Sequence, residues 1–394
     1  MSDKPPGDGD WGDQGYSSWY ARVTGVGSSI GQAIVVPLLA VFTALVIGAF
    51  IIAVTDVDTL PLWGSEPGEA FRRTVSGIYD AFKALFVGSL GSPRAISETL
   101  FAATPLIFAG LAVAVGFQAG LFNIGVNGQM LIGGMAGLWV GFSIDVPMIF
   151  HIPLALIAAI IGGAFWGLIP AILKIKFSIN EVISTLMLNY ICNEFMKLLI
   201  VGPWRGKTKF GFPYTDDLPL SATLSLIPGS RIHYATLIIA IFTVILLGIA
   251  IYKTRFGYEV RVIGENPDAA RYSGIDFFKT TLIIMIISGG MAGLAGVGEA
   301  AGIHHYLSYP ESISSGYGYT AIIVAWLARL NPLYVILSAL FFAGILVGGD
   351  AIQISLGLPA ATVQVFNGTL LVFLIMGEYF LKNRVSFQLG PKRN

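Results

Sequence analysis

Residues Thr99–Ile144 read TLFAATPLIFAGLAVAVGFQAGLFNIGVNGQMLIGGMAGLWVGFSI, 46 consecutive positions without an Asp, Glu, Lys or Arg. Roughly 20 helical residues cross the hydrocarbon of a bilayer, so this run holds two crossings. Gly and Pro recur inside it, which membrane helices tolerate because neighbouring helices satisfy the backbone groups that a break frees. Apolar and polar residues do not alternate at every second position, which excludes the strands of a membrane β-barrel. The stretch predicts an all-α integral membrane protein.

The rest of the chain agrees. Of its 394 residues 55% are hydrophobic and 12% charged, about half the charge of an average soluble domain. Mean hydropathy is +0.76. The 23 Lys+Arg balance 23 Asp+Glu, so there is no basic surface for nucleic acid. The single Cys excludes a disulfide framework and every multi-Cys metal site; no metal or cofactor is expected. Windows of about 20 residues place ten transmembrane helices, at 34–54, 98–117, 121–141, 149–172, 182–201, 234–252, 280–300, 317–329, 332–349 and 361–380. The eighth is short enough to be broken or re-entrant.

Polar residues 1–33 read as a disordered tail rather than a signal peptide, 34–382 as the transmembrane domain, and 383–394 as a basic tail. Fourteen of the 23 Lys and Arg fall on the side of the N-terminus, and eight in the segments 55–97 and 202–233. Those segments are long, where the positive-inside rule is weakest. Both termini are therefore expected in the cytoplasm. Segment 66–97 carries Phe71, Ile78, Phe82, Leu85 and Phe86 at helical spacing and reads as an outer amphipathic helix; 202–233 reads as an outer loop.

Several apparent motifs carry little. Gly202–Thr208 resembles a phosphate loop, but Val201 stands where the motif needs its first glycine, and the chain is not expected to hydrolyse ATP. His304 and His305 are adjacent, about 100° apart on a helix, and cannot share a metal; they read as a polar outer loop. Cys192 reads as a small packing residue. The sequon at Asn367–Thr369 is a three-residue match and carries no weight. Pairs such as Gly133/Gly137, Gly163/Gly167 and Gly289/Gly293 predict close helix packing. The hexapeptide GGMAGL occurs at 133–138 and 289–294, in spans that run the same way, which argues against an inverted repeat and for coincidence in glycine-rich helices.

Polar groups inside spans are costly and mark either a pathway or interhelical hydrogen bonds. Asn123, Asn127 and Gln129 fall in the third span, with Asn123 and Asn127 sharing one helical face. Gly120, Gly125 and Gly128 would let that helix unwind. Glu181 and Asn189 in the fifth span join them as candidate substrate-pathway residues. Glu299, Asp350 and Gln364 lie near outer ends, where interfacial solvation is expected. Only Glu194 and Lys197 sit well inside a span.

The inner loop 253–279 contains FGYEVRVIGENPDAARYSGI at 256–275. Asn266 can cap a helix that opens on Pro267, with Asp268 in its first turn and Gly274 ending it. About seven residues do not make a helix that is stable alone, so this one must dock on its own spans or on a partner.

The segment GENPDAARYSGI at 264–275 resembles the cytoplasmic loop of permease subunits in binding-protein-dependent ABC importers of the ribose, branched-chain amino acid and nucleoside branch. LFNIGVNGQM at 121–130 resembles the signature of the nucleoside, or "simple sugar", members. NEVISTLMLNY at 180–190, GYGYTA at 316–321 and Asn331-Pro332 are similar as well, and the resemblance covers about 95–382. It implies a pathway for nucleosides in a bacterial inner membrane. It also implies a soluble or lipid-anchored substrate-binding protein, a second, non-identical permease subunit and a separate ABC ATPase subunit. Gly264, Glu265, Asn266, Pro267, Asp268, Ala269, Ala270, Arg271 and Gly274 would engage the ATPase. The chain departs from the pattern before Gly128, where an acid is expected and Asn127 stands; selectivity can differ there. A ribose or simple-sugar permease, an ion-coupled secondary carrier needing mid-membrane charges, and an intramembrane enzyme needing a catalytic pair are the alternatives.

Overall fold

A computed structural model describes residues 42–43, 45–56 and 58–382. The expected tails 1–33 and 383–394 and the start of the first span lie outside them. Every regular element among the described residues is helical: α1 (Leu45–Thr55), α2 (Leu62–Ser65), α3 (Pro67–Leu90), α4 (Pro93–Gln118), α5 (Val126–Ser143), α6 (Met148–Phe177), α7 (Glu181–Val201), α8 (Tyr234–Lys253), α9 (Arg255–Glu265), α10 (Pro267–Tyr272), α11 (Phe277–Glu299), α12 (Pro310–Ser314), α13 (Tyr317–Leu327), α14 (Pro332–Leu356) and α15 (Ala360–Lys382). A π-helical turn, Ala300–His304, extends α11.

Among the described residues five helices are long and apolar enough to cross a membrane: α4, α6, α8, α11 with its π turn, and α14. Each covers one of the ten expected spans. The third span starts late because 119–125 is not helical, and the eighth coincides with a single short helix, α13, of 11 residues, preceded by α12. The expected outer amphipathic segment ends early, since Ser92 caps a new helix and its last residues belong to α4.

The chain forms two compact units, residues 1–78 with 359–394 and residues 79–358. In the first, Gly48 of α1 lies against the ring of Phe366 in α15. In the second, α4, α5, α6 and α11 form the centre, and α4 from Phe101 to Phe117 is wholly buried. Water offers no drive for helices to associate in lipid, so close backbone approach must supply it. The glycines permit that approach. A Cβ on Gly133 would strike the backbone of Gly293, one on Gly163 the carbonyl of Gly289, and one on Gly167 the carbonyl of Met285 at 2.7 Å. Gly133 meets Gly293 and Gly137 meets Val297, so α5 and α11 run in the same direction. Among their glycines the two GGMAGL copies touch only through Gly133 and Gly293, and the second copy packs mainly on α6, with Gly289 against Gly163, Gly290 against Ile160 and Gly293 against Ala159.

Segment 202–233 resolves the false phosphate loop. The Asp216 carboxylate accepts the Thr208 hydroxyl at 2.5 Å and the Thr208 and Lys207 amides at 2.9 and 3.1 Å. The turn thus wraps an anion of its own chain. The Thr208 hydroxyl first, then the two amides, hold the Asp216 carboxyl below its usual 3.8. A group whose folded value is depressed contributes above its unfolded value and loses the contribution as pH falls through the folded one. Asp216→Asn removes the charge at every pH. Faster trypsin cleavage after Lys207 and Lys209 at neutral pH is expected, and cleavage at the wild-type rate would refute this role.

Candidate functional site

The site forms where the chain between α4 and α5 leaves the helix. Gly120 takes φ +70°, in the left-handed region that glycine enters without strain. The segment 121–125 then runs to the start of α5 at Val126. Asn123 lies in this break, so Asn123 and Asn127 do not share a helical face. The flanking glycines ended the helix outright, and that corrects the sequence expectation.

Three side chains of α7, spaced four residues apart on one face, hold the break. Glu181 Oε1 lies 3.5 Å from the Phe122 amide, and its Oε2 pairs with Lys174 at 2.6 Å. Thr185 accepts the Ile124 amide at 3.3 Å. Asn189 donates to the Ile124 carbonyl at 3.0 Å and accepts the Gly128 amide at 2.8 Å. These groups replace the partners that unwinding removed, as buried backbone requires. On the other side, Asn123 donates to Gln129 Oε1 at 3.1 Å and to Ser288 Oγ at 2.9 Å, and Ser288 donates to the Ala112 carbonyl at 2.7 Å.

Asn127 differs from its neighbours. It is 4% exposed and its side chain has no hydrogen-bond partner among the described residues; Oδ1 is fully enclosed. Its backbone lies against Gly318 of α13, and beside it Asn189 reaches the Tyr319 hydroxyl at 3.4 Å. Trp166 presents an equally unpartnered Nε1 about one side chain away, at Gly128. Buried polar atoms without partners are few in any fold, and among the described residues three lie around this break: Asn127 Oδ1, Trp166 Nε1 and, at the end of α4, Gln118 Oε1.

The inner loop docks on the same break. Thr254 caps α9 through the Gly257 amide, and α9 buries Gly257, Val260 and Ile263. Gly264 rests on the Gln118 carbonyl and beside Gly120, and the Gln118 side chain donates to the Leu330 carbonyl at 2.5 Å. Asn266 Oδ1 accepts the Asp268 and Ala269 amides at 3.1 and 3.0 Å, opening α10 on Pro267 as expected. Gly274, at φ +74°, follows its end. Within α10 Ala270 is fully buried, whereas Ala269 and Tyr272 are exposed. The sequence reading kept Arg255–Glu265 in the inner loop, whereas the structure makes it the amphipathic helix α9.

A family sequence model described as the permease component of the branched-chain amino acid transport system matches residues 95–375. The chain belongs to this permease family. A glucose ABC transporter permease of Haloferax volcanii is 35% identical over 91% of both chains. A guanosine ABC transporter permease of Bacillus subtilis is 34% identical over 86% of this chain and 92% of its own. A nucleoside ABC transporter permease of Lactococcus lactis is 32% identical over 87% and 91%. This permease is thus a multi-pass membrane protein.

Of the expected pathway residues, the structure gathers Asn123, Asn127, Gln129, Glu181 and Asn189 around one break. Thr185, Ser288 and Trp166 join them; Thr185 lies in the NEVISTLMLNY segment, and Ser288 and Trp166, single polar residues in apolar helices, carry no motif. Glu299 overturns its expectation of interfacial solvation. It is 4% exposed, has no hydrogen-bond or ion-pair partner among the described residues, and borders a cavity of about 10 Å³ shared with His233 and Thr104, the room of one water. The helix keeps a further turn, Ala300–His304, beyond Glu299, and Phe101, Thr104, His233 and Thr236 line the cavity beside it. Cys192 is buried in the core and donates to the Gly128 carbonyl at 3.3 Å, as befits a packing residue.

Proposed function

We propose that this permease forms the translocation pathway for nucleosides in an ATP-driven importer, with Asn127 contacting the cargo. The enclosed, unpartnered Asn127 amide carries this reading. The other four candidates already spend their polar atoms on the protein, whereas Asn127 offers one acceptor and two donors. A neutral amide suits a neutral solute rich in hydroxyl and ring-nitrogen groups. The guanosine and nucleoside permeases among the relatives support the same class. The glucose permease, of equal similarity, favours a sugar as the second reading. ATP-dependent uptake of labelled guanosine and, separately, of labelled glucose into vesicles holding the assembled importer separates them. Uptake of glucose without uptake of guanosine would reverse the assignment.

The ten spans complete the reading, with both termini in the cytoplasm of a bacterial inner membrane. Outer segments 66–97 and 202–233 meet a substrate-binding protein, a second permease subunit completes the pathway, and a separate ABC ATPase hydrolyses ATP. The ATPase engages Gly264–Arg271 and Gly274. Gly264 seated at Gln118 and Gly120 gives its motion a direct route to the break. Ala269 is exposed, so Ala269→Glu tests docking without disturbing the core. Loss of at least tenfold in ATP-dependent uptake is expected, with membrane insertion unchanged; full uptake would remove the coupling assignment. Substitution of the buried Ala270 tests folding instead.

A further inference from the structure

A groove of about 330 Å³ opens beside α13 and α14, lined by Leu327, Arg329, Tyr334, Leu337, Ser338 and Phe341. Arg329 stands at one end, in the turn before Asn331-Pro332. It is exposed, and its guanidinium has no hydrogen bond, ion pair or ring partner among the described residues. A planar fork of five donors without an acceptor is matched to phosphate. From it the groove runs along one face of α14, where Tyr334, Leu337 and Phe341 follow at helical spacing over roughly 10 Å. All three are exposed, Leu337 to 67%.

The turn that carries Arg329 is firmly set. Its amide bonds the Trp326 carbonyl and that of Leu330 the Ala325 carbonyl, both at 2.8 Å. Ser338 ties α14 to the Val324 carbonyl at 2.8 Å, and Gln118 holds Leu330. Arg329 and Leu330 both take positive φ, +51° and +58°, which side chains adopt only where surroundings impose it. A fixed cation at the mouth of a rigid apolar channel is the shape of an amphiphile with an anionic head.

We propose that this groove binds one anionic phospholipid, its phosphate on Arg329, its headgroup beside Tyr334 and an acyl chain along Leu337 and Phe341. Basic pockets between membrane helices hold acidic lipids by this division of labour. Charge complementarity selects a lipid over a protein helix, because a helix packing there would strand the Arg329 charge in its interface. The inference needs only the membrane setting and is independent of the cargo. Through Leu330 and Gln118 the bound lipid would brace the break that carries Asn127.

The test uses the full-length chain purified in detergent and examined by native mass spectrometry with added phosphatidylglycerol, phosphatidylcholine or inorganic phosphate. A retained phosphatidylglycerol adduct is expected, reduced roughly fivefold by Arg329→Gln and largely kept by Arg329→Lys. Equal retention of phosphatidylcholine, a phosphate adduct without lipid, or an undiminished adduct on Arg329→Gln overturns the proposal. A second measurement labels the thiol introduced by Leu337→Cys, since Cys192 is the sole cysteine and is buried. Brominated phosphatidylglycerol should quench a fluorophore there in the assembled importer. Cross-linking of that thiol to another permease subunit would make the groove a subunit interface and overturn the lipid assignment.

Discussion

Gly163→Val is expected to abolish accumulation of the folded protein, the largest effect of any single substitution considered. A side chain at Gly163 must enter the Gly289 carbonyl, and the facing contacts of Gly293 on the Ala159 carbonyl and Gly296 on that of Met130 are equally closed. No flexible side chain can move aside, so α6 and α11 must separate along their length. Overpacking a rigid core costs about 1–3 kcal/mol where side chains can yield, and backbone cannot. Gly77→Val is the control, because nothing lies within 4 Å of the position its Cβ would take. Size-exclusion profiles in detergent decide the matter. A monodisperse Gly163→Val protein at wild-type yield would show that these helices do not pack backbone to backbone.

The second large effect separates two asparagines, Asn127 and Asn189, that lie on different helices yet side by side at the break. Asn189→Ala leaves the Gly128 amide and the Ile124 carbonyl without partners. Interhelical hydrogen bonds in membranes contribute modestly, but stranded buried backbone is costly, and a loss of about 1–3 kcal/mol is expected. Asn127→Ala removes no hydrogen bond, so its melting temperature should stay near wild type while uptake falls at least tenfold. Thermal unfolding in detergent and vesicle uptake read both quantities on both variants. If Asn127→Ala melts early and Asn189→Ala does not, the roles are exchanged and Asn127 is a packing residue. Unchanged uptake by Asn127→Ala would remove it from the pathway.

The same residues show how far sequence reading reached. The polar cluster at 121–130 and the helix-capping pattern at 266–274 were visible because costly groups in apolar surroundings, and caps at fixed spacing, are local facts. Asn266, Pro267 and Gly274 behave as their types require wherever the helix docks. The geometry of the cluster was not local. Asn123 and Asn127, four apart, satisfy a helical face on paper; only the supply of hydrogen bonds from Glu181, Thr185 and Asn189 decided that the break is held open. Glu299 failed for the converse reason. Nearness to a span's end suggested water, whereas Glu299 is buried beside a cavity lined by Phe101, Thr104 and His233.

Sequence by itself determined the class of molecule and its helices, because charge placement and hydropathy act residue by residue against the bilayer. It also marked the glycines that must touch something. Tertiary structure alone decided what they touch: that Gly133 meets Gly293 and Gly163 meets Gly289, that Gly264 seats on Gln118 and Gly120, and that one asparagine of the cluster keeps an unspent amide. Each of these depends on which surfaces meet across long separations in the chain. A residue's chemistry states what partner it needs, and only the packing of helices says whether the protein supplies it.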